Sequence, residues 1–182
     1  MLLNTPICDF GWKAPNFTLS DPSGNQFTMI DNLGDKGLVI AFICNHCPYV
    51  KAIADRLALD ASILIDEGIN VVAVMSNDYR DYSADNPENM AIFAAQHSFP
   101  FLYLVDEDQS VGKAYGAICT PDFFGLNHLG QLQYRGRIDD AQMGDASKRS
   151  PELLDAMRLV AQTGRGPKQQ TASMGCSIKW RD

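Results

Sequence analysis

Apolar residues fall in short unbroken runs separated by stretches of helical periodicity. Residues 37–43 and 101–105 are continuous hydrophobic runs, and 69–75 is interrupted only by Asn70, the pattern of buried strands. Between the first two, Val50, Ile53, Ala54, Leu57, Ala61, Leu64 and Ile65 recur at helical spacing. Lys51, Asp55, Arg56 and Asp60 form the opposite, charged face, and Gly68 is a C-terminal stop. Asn86-Pro87-Glu88 supplies a cap, a first-turn proline and a first-turn acid for a second helix to about His97, and a short helix is predicted from Ser110 to Tyr115. Strand, helix, strand, helix, strand is the grammar of a parallel βαβ sheet.

The ends read differently. Residues 14–19 alternate and lead through Asp21-Pro22-Ser23-Gly24 to Gln26-Phe27-Thr28, an N-terminal hairpin. Residues 122–126 and 131–134 flank Asn127-His128-Leu129-Gly130, predicting an antiparallel hairpin. Ser150-Pro151-Glu152 caps a last helix to about Gln162. Residues 164–171 then take the composition of a linker. Met174, Ile178 and Trp180 make the segment beyond too apolar for solvated coil. The chain divides into a domain over 1–163 and a tail over 164–182.

The 182 residues carry 15 basic and 22 acidic side chains, a formal net charge of −7, which argues against a nucleic-acid partner. A hydrophobic share of 46% with 20% charged residues suits a globular fold. No apolar run approaches the roughly 20 residues that span a bilayer, and the N-terminal residues lack the pattern of a signal peptide. A cytoplasmic location is therefore expected, with no membrane partner. In a reducing compartment, Cys8, Cys44, Cys47, Cys119 and Cys176 read as packed, catalytic or metal-binding thiols rather than a disulfide framework.

Cys44-Asn45-His46-Cys47 sits where the first strand hands over to the first helix. Backbone N–H groups and the helix dipole favour thiolate there. Proline is favoured at the first helical position, so Pro48 makes Cys47 the N-cap and the activated sulfur, with Cys44 its partner in the loop. A helix beginning near Asn45 would instead make Cys44 the nucleophile; the proline favours Cys47. His46 either promotes the thiolate when protonated or faces solvent as a plain loop residue. A c-type haem motif is excluded because Pro48, not histidine, follows Cys47.

This order of elements, with Cys-x-x-Cys at the first strand-to-helix junction, resembles the thioredoxin-like fold: an α/β fold with a central mixed sheet flanked by helices, here with an N-terminal hairpin extension and a C-terminal tail. Ala14-Pro15-Asn16-Phe17-Thr18-Leu19-Ser20-Asp21 followed by Gly24 resembles the opening of the alkyl hydroperoxide reductase and thiol-specific antioxidant branch, shared with TlpA-type thiol oxidoreductases. Tyr115-Gly116, then Thr120-Pro121-Asp122-Phe123-Phe124 and Gly130, resembles that superfamily's loop preceding a cis-proline. From about Ala14 to Arg137 the chain is most similar to peroxiredoxin-like proteins with a Cys-x-x-Cys motif, in which the second cysteine matches the peroxidatic position. The resemblance implies that Thr120, before Pro121, presents backbone groups to a bound peptide or thiol. Peroxiredoxins proper carry proline and threonine where this chain has Ile40 and Cys44, and thioredoxins often bury a carboxylate where Ala41 stands. Both departures favour thiol–disulfide exchange over efficient peroxidase chemistry.

The expected function is a thiol–disulfide oxidoreductase or peroxiredoxin-like antioxidant protein that needs no cofactor. Cys47 attacks a disulfide sulfur or a peroxide oxygen and Cys44 resolves the product. The expected partners are that disulfide or peroxide substrate and a thiol electron donor, with room for a homodimer. Cys119, two residues before Pro121, is a third thiol or a small buried filler. Cys176 is a resolving thiol if the tail folds back, and otherwise a packed tail residue; packing is expected for Cys8. Arg135 and Arg137 alternate on the hairpin as a solvated edge or an anion-steering pair. Asp78, Tyr79 and Tyr82 follow the second strand on the side where parallel sheets bind ligands. Two other classes compete: a metal site built on Cys44, His46 and Cys47 and completed by Cys119, His97 or His128, and a non-catalytic redox-sensing module of the same fold.

Overall fold

The computed structural model of the chain describes residues 1–181. In chain order the strands are β1 (Leu2–Asn4), β2 (Thr18–Ser20), β3 (Gln26–Thr28), β4 (Leu38–Phe42), β5 (Asn70–Met75), β6 (Tyr103–Val105), β7 (Cys119–Thr120), β8 (Asp122–Leu126), β9 (Leu132–Gly136) and β10 (Met174–Ser177). The helices are α1 (Pro48–Asp66), α2 (Pro87–Gln96), α3 (Ser110–Tyr115) and α4 (Glu152–Thr163). Seven strands form one sheet in the order β3-β2-β6-β5-β4-β8-β9. β4, β5 and β6 run parallel, joined through α1 and α2, while β8 and β9 add antiparallel. The sheet is mixed and thioredoxin-like. A second sheet, β1-β10-β7, brings the two ends of the chain together beside it.

The continuous apolar runs divide their side chains between two cores. Val39 and Ala41 of β4, then Ile43, face α1, α2 and α4; Leu38, Ile40 and Phe42 face the N-terminal hairpin and α3. β5 repeats the split, with Val71, Ala73 and Met75 on one side and Val72 and Val74 on the other. Each large aliphatic residue so buried contributes on the order of 1.5–3 kcal/mol, which is why these strands show no polar alternation. α1 ends as expected: Gly68 takes φ +87°, a conformation open to glycine at little cost. α2 is capped by the Asn86 side chain, which accepts the Asn89 N–H at 2.8 Å.

Several polar positions depart from the sequence reading. The charged face of α1 is only partly solvated, because buried Asp60 pairs with Arg149 and Arg56 reaches buried Asp139 at 2.7 Å. Arg135 and Arg137 are not a solvated edge. Arg135 is buried over the Phe124 ring and binds buried Asp122 at 2.8 Å, and Arg137 pairs with Glu152. Pro151, not Ser150, occupies the cap position of α4: the Asp155 N–H donates to the Pro151 carbonyl at 2.9 Å, and no side chain caps that end. No helix among the described residues is long and apolar enough to cross a membrane.

Candidate active site

The loop leaving the C-terminal edge of β4 carries both motif cysteines. Cys47 has extended backbone angles (φ −69°, ψ 122°) and is the N-cap of α1, with Pro48 as the first helical residue. Proline loses nothing there, because that N–H has no partner within the helix. The loop is clamped from the neighbouring strand ends. Buried Asp85 accepts the N–H groups of Asn45 at 2.7 Å and His46 at 3.3 Å. Asn45 in turn donates to the Ala84 carbonyl at 2.9 Å and accepts from the Tyr103 hydroxyl at 3.0 Å.

Cys44 and Cys47 both face the Thr120–Pro121 peptide, which is cis. Cys44 Sγ lies 3.2 Å from Thr120 Oγ1, and Cys47 as a thiol donates to the Thr120 carbonyl at 3.3 Å. Cys44 and Cys47 are closed off from solvent, at 1% and 0% exposure. The two thiols, both held against Thr120, compete for one proton, and their interaction leaves it with Cys44. Together with the Cys176 thiol and the N–H groups of Val50 and Cys176, it outweighs burial and lowers Cys47 to about 4. The Val50 N–H acts at longer range than a full cap bond, which Cys47 lacks. Cys44 is pushed far up by the same interaction, by burial and by the Asp85 charge.

His46 is not a plain solvent-facing residue. Its Nδ1 lies 2.6 Å from Asp85 Oδ2, and its ring stacks on Tyr82 with centroids 6.0 Å apart. The Asp85 bond raises the His46 pKa above its ordinary value, against burial, and the neighbouring Cys47 charge adds to the rise. Burial pushes Asp85 upward, but hydrogen bonds from His46 and Asn77 outweigh it and hold the carboxyl below the usual range. Ligand atoms of Cys44, His46 and Asp85 lie within 4.8 Å of one another. The carboxylate, however, is already engaged by Asn45, both nitrogens offered by His46, and Asn77.

The remaining candidates scatter. Cys119 is fully buried on β7, and burial with the Asp122 charge pushes its thiol up to about 12. Cys176 lies on β10 directly opposite Thr120, whose carbonyl accepts from Cys47, and burial with the Cys47 sulfur nearby pushes its thiol up to about 11. Cys8 is half-buried, its thiol pushed up to about 11 by burial. His97 bonds Asp55 at 2.7 Å, away from the motif, and His128 is exposed in the β8–β9 turn. Of the residues after β5, Tyr82 reaches His46, whereas Asp78 pairs with Arg181. Asp85, Asn77 and Tyr103 went unnoticed in the sequence. Asp85 precedes the Asn86 cap and looks like ordinary helix-entry polarity, so no local signal marks it.

A family model described as the AhpC/TSA family matches residues 10–136. The chain belongs to the AhpC/TSA family. It is 28% identical over 117 residues to peroxiredoxin Bcp of Escherichia coli K12, covering 64% of this chain and 70% of that protein. An uncharacterized conserved protein from Geobacillus kaustophilus has the same structure over 100% of this chain and 97% of its own, with TM-score 0.92 and 38% identity. The thioredoxin domain of a Bacteroides vulgatus thiol-disulfide oxidoreductase, at TM-score 0.64 and 15% identity, covers 84% of this chain and 97% of its own and shares the fold. AhpC/TSA membership makes the chain an oxidoreductase of the thiol-disulfide and peroxiredoxin-like kind.

Proposed function

We propose that Cys47 is the nucleophile of a thiol–disulfide exchange, Cys44 its resolving partner, and Thr120 with Pro121 the positioning groups. Cys47 thiolate attacks one sulfur of a substrate disulfide and expels one thiolate. Cys44 then attacks the Cys47 sulfur of the mixed disulfide, expels the second thiolate and leaves a Cys44–Cys47 disulfide. The observation that carries this reading is the placement of Cys47 at the helix cap with both sulfurs held against the cis Thr120–Pro121 peptide; there Cys47 is lowered and Cys44 raised, so the proton stays on Cys44 and the charge on Cys47. Thr120 Oγ1 can donate to Cys44 when Cys44 in turn ionises. A peroxide would use the same sulfurs through a sulfenic acid on Cys47. Disulfide exchange ranks ahead because a thiol stands at position 44, where peroxiredoxins place the hydroxyl that orients peroxide. Electrons return from a thiol donor, and five unpaired thiols suit a reducing compartment such as the cytoplasm. We keep residues 1–163 as the domain that carries the pair, with β10 of the following segment lying along Thr120 beside it.

The test is disulfide reduction and peroxide consumption measured side by side on wild type and Cys47→Ser, with intact-mass readout of the oxidised protein. Cys47→Ser is expected to lose both activities, and oxidised wild type to hold a Cys44–Cys47 bridge. Wild-type turnover by Cys47→Ser, or oxidised wild type without that bridge, would overturn the assignment.

A further inference from the structure

The edge beside Pro121 is already filled. Where the family resemblance has Thr120 present its backbone to a bound peptide, this chain lays its own β10 antiparallel, with Cys176 opposite Thr120 and Ser177 opposite Cys119. The approach demands glycine at position 175: a Cβ there would sit 1.8 Å from the Thr120 carbonyl oxygen and 3.0 Å from Pro121 Cδ. On its other side β10 pairs with β1, Leu2 opposite Cys176. Flanking bonds pin it further. The Ile178 N–H donates to the Ile118 carbonyl at 2.9 Å, the Lys179 N–H to Asn77 Oδ1 at 2.8 Å, and Ser173 Oγ to the Pro121 carbonyl at 2.7 Å. β10 is thus built into the fold, and what it brings to the site is a thiol. Cys176 stands opposite Thr120, whose carbonyl accepts from the Cys47 thiol at 3.3 Å, so the strand pairing brings it beside the reactive sulfur. Cys176 is half-buried, whereas Cys44 and Cys47 are closed off.

We infer that β10 is a tethered stand-in for a substrate strand, and that Cys176 is a third redox thiol connecting the buried Cys44–Cys47 pair to an external thiol reductant. The inference rests on the proposed Cys44–Cys47 chemistry. Starting from the Cys44–Cys47 disulfide, Cys176 thiolate attacks the Cys47 sulfur; a Cys47–Cys176 disulfide forms and Cys44 leaves, taking up a proton. An external thiolate RS⁻ attacks the Cys176 sulfur, giving a Cys176–SR mixed disulfide and expelling Cys47 as thiolate, the better leaving group of the pair. A second RS⁻ attacks the sulfur of the bound R group and releases RSSR, and Cys176 recovers its proton. Two thiols are oxidised to one disulfide and one protein disulfide becomes two thiols, so the electrons balance. In the reduced protein, burial and the neighbouring Cys47 thiolate keep Cys176 protonated. Oxidation of Cys47 removes the second of these holds, which frees Cys176 when it is needed.

Two measurements decide. Cys44→Ser oxidised with diamide is expected to lose two hydrogens by intact mass, with peptide mapping placing the bridge between Cys47 and Cys176. In the second, the Cys44–Cys47 disulfide is formed first and then reduced with 2-mercaptoethanol. Cys176→Ser and the more apolar Cys176→Ala are both expected to slow this reduction by more than about tenfold, and Cys8→Ser to leave it unchanged. A natively folded Cys44→Ser that forms no Cys47–Cys176 bridge overturns the relay. So does reduction of both Cys176 variants at the wild-type rate while their Cys44–Cys47 bridge forms normally. If wild type and the Cys176 variants alike form no Cys44–Cys47 bridge, the proposed function falls and the relay with it.

Discussion

Asp85→Asn keeps the shape of the side chain beneath the active-site loop and removes its charge. One oxygen still accepts the N–H groups of Asn45 and His46. The other becomes an amide NH2 facing His46 Nδ1 at 2.6 Å and Asn77 Nδ2 at 2.8 Å. The His46 contact survives only with a neutral ring whose Nδ1 accepts. Asn77 cannot turn its amide without loss, because its Oδ1 accepts the Lys179 N–H that anchors the tail. One charge-assisted bond is lost, at roughly 1.5–3 kcal/mol, and one buried donor is left facing a donor, at roughly 1–3 kcal/mol. With partial relaxation, the expected destabilisation is about 3 kcal/mol.

The pH dependence of that loss follows from two shifts of opposite sign. His46 is raised in the folded state, so its contribution is full below its ordinary value of 6.5 and is lost as pH rises through the folded value. Asp85 is lowered, so its contribution is present above 3.8 and is lost as pH falls through its folded value. The stability gap between wild type and Asp85→Asn is therefore widest between pH 3.8 and 6.5. Urea unfolding at about pH 5 and about pH 9 measures the gap, and NMR titration of the His46 ring measures its midpoint, expected to drop below 6.5 in the variant. An unchanged His46 midpoint, or a gap of equal size at both pH values, refutes the coupling.

Other perturbations probe separate parts of the site. Thiolate absorbance of reduced wild type should titrate with a midpoint of about 4 for Cys47, and in Cys44→Ala, which has no donor at position 44, the midpoint should move upward, because the largest lowering influence is gone; an unmoved midpoint contradicts the shared proton. Gly175→Ala should cost at least about 1–3 kcal/mol by overpacking and speed amide exchange in β10, since the new methyl meets the Thr120 carbonyl; protection at the wild-type level would mean the approach is looser than described. Arg135→Leu leaves buried Asp122 without its cation and should cost about 3–5 kcal/mol near neutral pH. Burial already raises Asp122 to about 6; an acid so raised destabilises the fold as pH climbs, so the Arg135→Leu loss should shrink in acid, and a pH-independent loss counts against it.

Local rules explain what was legible. Pro48 needs no tertiary partner to mark the first turn of α1, so the cap position of Cys47 follows from one residue's covalent chemistry. The apolar runs of β4 and β5 likewise announce strands buried on both faces, and Asn86-Pro87 announces α2. Charge state is not local in this way. Asp85 polarises the motif only because the segment between β5 and α2 folds across the end of β4, and its neighbours in sequence describe a helix entry and nothing more. Arg135 looks exposed by alternation, but Asp122 and Phe124 on the adjoining strand hold it inside. Gly175 reads as tail flexibility until Thr120 lies against it. Periodicity reports which side chains face a sheet, whereas the ionisation of a sulfur depends on donors delivered from elsewhere in the chain. For Cys47 these come from the helix it caps, from Cys44 beside it and from a strand near the far terminus. The first two are visible in the five residues from Cys44 to Pro48. The third exists only after the two ends of the chain have paired, so the reactivity of this AhpC/TSA protein is a property of the closed β1-β10-β7 sheet as much as of its Cys-x-x-Cys loop.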